Sequence, residues 1–314
     1  MTESDNGPVN VVETYKQELA SACELVLADE IPPEGVDVLF FHGRAPGDEG
    51  NLFPFMKELY DQGLVKQILI PGTDGQSYVP NTSPEDQYEK GEGKYTANPG
   101  KAEWAKMLDE VGFDLQGAGG ELTGKVTIYD GDVKNTYPFQ GEIGELTGVV
   151  ATTSPGVRTT KEENEAVLKY ALEHGIKSIA LLAHPHQLPR AMLGMVATLN
   201  AHNITDIKVY AVHSDSTDWD KIVPGSQGKN LKQRRLHAID ETIRIPTYQN
   251  NSKKDDASFE ELQKYYELRD RGPQRMQELL KEKQNDPNFQ MDVQVMKEAI
   301  QSLPSERLSQ LLAT

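Results

Sequence analysis

Apolar residues along this chain follow two patterns that alternate with each other. Short, mainly apolar runs, typical of strands that helices cover on both faces, lie at residues 36–41, 66–70, 148–153, 179–183 and 207–212. Between them, apolar residues recur every three or four positions and predict helices at residues 11–29, 51–62, 100–111, 160–174, 191–199 and 231–244. This alternation predicts an α/β fold, a Rossmann-like three-layer sandwich with a mostly parallel sheet, plus C-terminal helices.

Two insertions and a C-terminal extension complete the predicted organisation. The first insertion covers residues 76–99, and its segment 76–95, rich in proline, glycine and polar residues, forms either a lid over the strand ends or a surface loop. The second insertion covers residues 118–147, where alternation from Thr123 onward predicts a β-hairpin with a turn signal at Asp130 and Gly131 that leads into the next sheet strand. From about residue 250 charged helices follow, which either clasp the domain or pair subunits into a homo-oligomer. We therefore predict an α/β domain over 1–249 and a helical extension over 250–314.

Charge and cysteine content narrow the class of protein. The formal net charge of −17 disfavours nucleic acid as a partner, which would need a basic surface, and disfavours anionic membranes. No apolar stretch approaches the length of a membrane span, and the acidic N-terminus is unlike a signal peptide. The single cysteine, Cys23, excludes an internal disulfide and fits a reducing compartment. We expect an acidic, cytoplasmic protein.

Titratable side chains follow several predicted strands. Four of the seven histidines do so, and because carboxyl ends of parallel strands share one edge, they should converge with nearby charged residues. The members of this group are His42, His184, His186, His213, Arg44, Asp74, Arg190 and Asp215. Convergence of such groups in one crevice is a sign of a functional site.

Two motifs flank the strand at 179–183. Thr160 and Glu163 are spaced as a capping box, or they contact a ligand, while Asn164 on the same turn could point toward the strand edge. His186 and Arg190 lie four residues apart and share a helix face. They either bind a ligand, or Arg190 pairs with a carboxylate and His186 caps a backbone group.

Glycines and helix starts at the same edge indicate what could bind there. Glycines after the first two strands let a ligand approach the backbone, and helix N-termini favour an anionic group. Two arginines could fork onto a phosphate or carboxylate. The predicted site has His186 as candidate general acid/base and these ligand-binding residues: Gly43, Arg44, Gly72, Asp74, Gly75, Thr160, Asn164, Arg190 and His213. A small anionic or nucleotide-like ligand suits this set.

Thr160, Glu163 and Asn164 precede a predicted strand, and His186 and Arg190 follow it. This arrangement resembles the signature of the YdcF/SanA/ElyC family, a domain of unknown function. The resemblance runs from about Asp37 to about Asp215, with an enlarged middle. The spacing from threonine to glutamate is one residue longer than in the family, and the turn lacks the usual serines. The resemblance implies a glycine-rich ligand loop at 71–75, S-adenosylmethionine as candidate ligand, and links to cell-envelope processes.

Three functions fit these observations. No dinucleotide fingerprint, P-loop or nucleophile elbow occurs, so common NAD, ATP and serine-hydrolase chemistry is disfavoured. The first function is a transferase or hydrolase that uses His186 and Arg190. The second is a ligand sensor or scaffold with the C-terminal helices as partner surface. The third is a metal-assisted hydrolase that uses His184, His186 and either Asp74 or Asp215, although no H-E-x-x-H pattern supports it.

Overall fold

A computed structural model describes residues 10–43, 51–72, 76–79, 101–113, 119–130, 133–144, 150–155, 159–214, 217–224, 231–251 and 254–313. The described strands are β1 (Val36–Phe41), β2 (Val65–Gly72), β3 (Gln76–Val79), β4 (Gly119–Asp130), β5 (Val133–Gly144), β6 (Val150–Pro155), β7 (Ser178–Leu182), β8 (Lys208–Val212), β9 (Ile222–Pro224) and β10 (Leu231–Gln233). The described helices are α1 (Val11–Ala28), α2 (Leu52–Asp61), α3 (Lys101–Glu110), α4 (Thr160–His174), α5 (Leu188–Ala201), α6 (Arg234–Gln249), α7 (Phe259–Arg269), α8 (Gln274–Lys283), α9 (Pro287–Gln301) and α10 (Ser305–Leu312).

The predicted α/β sandwich is confirmed. Five parallel strands form one sheet in the order β6-β2-β1-β7-β8. Within β1, Val38 and Phe40 belong to the apolar cluster formed with α1, α4, α5 and the C-terminal helices, whereas Leu39 and Phe41 belong to the cluster with α2 and α3. Because alternate residues of a strand face opposite sides, the continuous apolar runs bury both faces of the sheet.

The strand order creates a topological switch point between β1 and β7. From β1 the chain adds β2 and then β6 on one side, and afterwards crosses to β7 and β8 on the other side. The chain therefore leaves β1 toward α2 on one face of the sheet and leaves β7 toward α5 on the other face. In open α/β sheets, ligands bind at the carboxyl edge beside such a switch point.

The insertions contain more strand than the sequence pattern indicates. The hairpin predicted within 118–147 is present as antiparallel β4 and β5, paired from Gly119 opposite Gly144 to Asp130 opposite Val133. Residues 76–79 form β3, which pairs with β4 in a separate three-stranded sheet, so this part of the predicted lid or loop is a strand. Residues 80–100 lie outside the described range. A four-residue strand depends on its partner, which no local pattern reveals.

Helix α6 begins three residues later than predicted. Residues 231–233 instead form β10, which pairs with β9 in a two-stranded ribbon. The helix then continues to Gln249 and contains Pro246. Residues 231–233 pair as a strand instead of joining the helix because their partner strand, β9, lies only a few residues upstream.

The C-terminal helices share the core of the α/β domain. Tyr266 of α7, Leu279 of α8 and Ile300 of α9 are buried in the same apolar cluster as Leu19 and Val26 of α1. Helix α7 starts with a capping box in which Ser258 and Glu261 bond each other's backbone amides. The packing of this extension matches a clasp on its own domain.

Side chains of the extension also close the free edge of β8. The hydroxyl of Tyr265 accepts from the amide of Val209 at 2.5 Å, and Arg269 donates to the carbonyl of Val209 at 2.9 Å. Asp29 accepts from the amide of Ala211 at 2.8 Å and forms a buried two-point ion pair with Arg269. An open strand edge would invite pairing with another chain, so this closure protects the sheet.

Candidate functional site

The residue that follows β1 pairs with the first turn of α4 across the switch point. His42 Nδ1 lies 2.8 Å from Glu163 Oε2, and the amide of Gly43 donates to Glu163 Oε1 at 3.2 Å. The side chains of His42 and Glu163 are 4% and 13% exposed. One carboxylate thus holds both the ring and the backbone at the end of β1.

The predicted capping box at Thr160 and Glu163 is wrong by one residue. The N-cap of α4 is Thr159, whose hydroxyl accepts from the amide of Glu162 at 3.2 Å, while Glu162 Oε2 accepts from the amide of Thr159 at 3.0 Å. Glu162 is therefore the glutamate of the capping box. Glu163, one residue further along the helix, reaches the end of β1 instead. Thr160 becomes the half-buried first residue of the helix.

The pair with Glu163 fixes which nitrogen of His42 carries the proton. An ionised carboxylate only accepts hydrogen bonds, so Nδ1 carries a proton, and in the neutral imidazole Nε2 is the nitrogen that has the lone pair. His42 Nε2 is buried and has no hydrogen-bond partner among the described residues. An unsatisfied buried polar atom costs on the order of 1–3 kcal/mol, and such a cost is commonly tolerated at sites that bind a ligand or water.

Gly43 allows a close approach that a side chain would prevent. A Cβ atom at this position would lie 2.7 Å from Trp104 Cη2 and 3.0 Å from Glu163 Oε1. Trp104 of α3 is fully buried, and its Nε1 also has no partner within the described part of the chain. The indole therefore forms a wall beside the pair of His42 and Glu163.

The two histidines after β7 lie at the same edge of the sheet. His184 and His186 are buried, their rings stack at 5.8 Å between centroids, and His186 meets Trp219 edge-on at 6.0 Å. The role of His186 as general acid/base stays a prediction.

Arg190 points away from the strand edge and into the helices. Its Nε donates to Glu241 of α6 at 2.7 Å, and its guanidinium lies 5.8 Å from the ring of Tyr248. Burial lowers the pKa of Arg190, but the carboxylates of Glu241 and Asp256 outweigh burial and raise it. The alternative in which Arg190 pairs with a carboxylate is the one the structure has.

Asn164, predicted at the strand edge, instead lies between two helices. It is fully buried, and its amide donates to the carbonyl of Ala191 in α5 at 3.4 Å. The orientation toward the strand edge is therefore wrong, because successive residues of α4 face about 100° apart and Glu163 occupies that direction.

The remaining predicted residues either have partners within the protein or lie outside the described range. The amide of Gly72 donates to Thr153 Oγ1 at 2.9 Å, so it is already used within the protein. His213 lies against the end of α1, with Nε2 3.2 Å from the carbonyl of Leu27 and Nδ1 3.2 Å from that of Ser214. Four further predicted residues lie outside the described range: Arg44, Asp74, Gly75 and Asp215.

Within the described residues, no group of three or more histidine, cysteine, aspartate or glutamate side chains is arranged to hold a metal ion. None of the described helices has both the length and the apolar character needed to span a membrane. The sequence matches no protein-family model, and it matches no curated protein significantly.

Sequence reasoning identified His42 and Glu163 separately and missed that they pair. His42 is predicted at a strand end, and Glu163 is predicted either in a capping box or in contact with a ligand. The available signal was a second threonine and glutamate pair, Thr159 and Glu162, which forms the same box one residue earlier. With Glu162 assigned to the capping box, the side chain of Glu163 is available for a contact outside its own helix.

Proposed function

We propose that the carboxyl edge of the sheet at the switch point binds a small molecule and that His42, oriented by Glu163, is the acid/base group that acts on it. The observation that carries this proposal is the 2.8 Å contact between His42 Nδ1 and Glu163, combined with a buried Nε2 that lacks a partner among the described residues. A histidine fixed in this way by a carboxylate is a common form of catalytic base.

The chemistry that follows is proton abstraction from a hydroxyl group or a water molecule. The lone pair of Nε2 takes the proton while Nδ1–H stays bonded to Glu163, whose negative charge stabilises the resulting imidazolium. The deprotonated oxygen then attacks an electrophilic centre, and His42 returns the proton to the leaving group. A hydrolase uses water as the attacking group, and a transferase uses a hydroxyl of its acceptor.

The charge around His42 favours a neutral group at this point. The amide of Gly43 is donated to Glu163, and Glu162 and Glu163 occupy the first turn of α4, so a phosphate beside His42 would meet carboxylates. The anionic or nucleotide-like portion of the expected ligand would therefore bind elsewhere along the edge. S-adenosylmethionine, suggested by the YdcF-like motif, and the family assignment itself stay proposals, as does a cytoplasmic location.

A sensor or scaffold that presents the C-terminal helices to a partner has less support. The apolar residues of these helices are buried in the core of the same chain, as Tyr266 and Ile300 illustrate. The pair of His42 and Glu163 therefore favours an enzyme over a sensor or scaffold.

The test begins with thermal-shift measurements on chelator-treated protein, with S-adenosylmethionine, nucleosides and sugars in separate wells. A ligand at one hundred times its Kd stabilises the folded protein by about 2.7 kcal/mol, which gives a measurable rise in Tm. Each hit is then measured by calorimetry and followed by mass spectrometry for conversion to product.

The variant His42→Gln is compared with His202→Gln. His202 also contacts a glutamate of α4, Glu165, at 2.8 Å, but on the exposed surface. We expect His42→Gln to lower turnover by about 10²–10⁴-fold and His202→Gln to leave it unchanged. Equal turnover in the two variants contradicts the proposal, and binding without conversion supports the sensor instead.

A further inference from the structure

The segment between α6 and α7 lies directly on α5. The amide of Ala257 donates to the carbonyl of Leu193 at 3.1 Å, and a Cβ atom at Gly194 would lie 3.3 Å from Asp256 Oδ1. Lys254 has a positive φ of 45°, a conformation that costs energy in residues other than glycine. The contacts with α5 therefore hold residues 254–257 in place. We call these residues the crossing segment.

The crossing segment is also tied to the first turn of α4. Asp255 forms an ion pair with Lys161, accepts from the side-chain amide of Asn251 at 2.8 Å, and donates its backbone amide to the carbonyl of Tyr248 at 3.1 Å. Because Lys161 lies two residues before Glu163, the segment packs against the same turn that holds His42.

Asp256 is the least compensated group of the crossing segment. It is 6% exposed, and its Oδ2 has no hydrogen-bond partner among the described residues. Each element packed around Asp256 presents a charged or titratable group to it. These groups are Tyr15 of α1, Arg190 of α5, Glu241 of α6 and Asp255 of the segment. Asp255 itself pairs with Lys161 of α4. Arg190 is the cation that interacts with Asp256, but its Nε donates to Glu241.

This environment moves the titration of Asp256 toward neutrality. Burial raises its pKa to about 7; Arg190 opposes the rise, and the carboxylates of Asp255 and Glu241 add to it. Asp256 therefore changes its charge in the range where most proteins work.

We propose that Asp256 is the trigger of a pH-dependent latch: when it is protonated the crossing segment stays seated on α5 and α4, and when it loses its proton the segment is released. A neutral carboxyl is tolerated in the buried position. Its anion lies beside Asp255 and Glu241, and it regains hydration when the segment lifts. The latch is thus closed at acidic pH and opens as the pH rises through about 7.

The test is hydrogen exchange, measured by mass spectrometry over the crossing segment of the full-length protein at about pH 6 and pH 8.5, corrected for intrinsic exchange rates. We expect protection of the amides of Asp255 and Ala257 to fall at least tenfold at the higher pH. In Asp256→Asn, which cannot ionise, protection should be the same at both values. The exposed control Asp206→Asn should keep the pH dependence of the parent protein.

A second measurement needs no variant. Carbon NMR of the labelled carboxyl group should show Asp256 titrating with a midpoint near 7. A midpoint near 4 overturns the proposal, and so does a pH dependence of protection that persists in Asp256→Asn.

Discussion

Helix α4 contributes the glutamates of two histidine–glutamate pairs, which have the same contact distance but different surroundings. His42 with Glu163 and His202 with Glu165 both have a contact of 2.8 Å. The first pair is 4% and 13% exposed, whereas the second is 49% and 40% exposed. An exposed pair gains little because water competes for both partners, while a buried pair fixes the proton and keeps the other nitrogen away from solvent. Burial, and not distance, distinguishes a candidate site from a surface contact.

The contrast between buried and exposed pairs also applies to ion pairs elsewhere in the chain. It predicts the largest loss of stability among the variants considered. Asp29 and Arg269 are 0% and 1% exposed, whereas Asp206 and Lys177 are both more than 60% exposed. Removing one partner of a buried pair strands the other charge, so Asp29→Ala should destabilise the protein by about 3–5 kcal/mol. Asp206→Ala should cost far less, because water already competes for both partners of the exposed pair. Urea unfolding measures both, and equal losses contradict the expectation.

The next effect concerns pH and Asp256. The raised folded-state pKa means that the folded protein binds more protons than the unfolded chain between about pH 4 and pH 7. The stabilising contribution of this group is therefore complete below the unfolded pKa and is lost as pH rises through about 7. At pH 8.5, Asp256→Asn should be more stable than the parent protein by about 2–4 kcal/mol. Urea unfolding at pH 5 and pH 8.5 checks the sign, and a destabilised variant at pH 8.5 contradicts it.

The two histidine–glutamate pairs should also differ in stability. Glu163→Ala removes a partner from His42 and from the amide of Gly43, so we expect a loss of about 1.5–3 kcal/mol. Glu165→Ala should cost less than about 0.5 kcal/mol. Thermal unfolding of the two variants makes the comparison, and equal changes in Tm would mean that burial does not distinguish the pairs.

Gly43→Ala provides a smaller test of the wall beside the site. The added methyl group would overlap Trp104 Cη2 at 2.7 Å, and relaxation of the indole should cost about 1–3 kcal/mol. The companion variant Trp104→Phe shortens the ring, so the double variant should recover part of the loss. Urea unfolding of the three variants completes the cycle, and a neutral Gly43→Ala would show that the contact is not tight.

Part of this organisation was predictable from the chain alone. Strand and helix positions follow from apolar periodicity, because burial on both faces requires continuous apolar runs and burial on one face requires a helical repeat. Helix starts were predicted to within a few residues, and α4 illustrates the limit, since Thr159 and Thr160 each precede a glutamate at the right spacing. The position of His42, His184 and His186 directly after strands followed from the apolar runs that precede them.

The sequence by itself thus determined the α/β class, the strands that follow apolar runs, the polar strand ends and the charged C-terminal helices. Only the tertiary structure decided that β1 lies beside β7, that Glu163 reaches His42 across 121 residues of chain, and that Arg190 turns to Glu241 across 51. Local propensity acts over a few residues, whereas strand order and side-chain partners depend on how the whole chain packs. For that reason the residue types of the site were evident from the sequence, and their pairing was not.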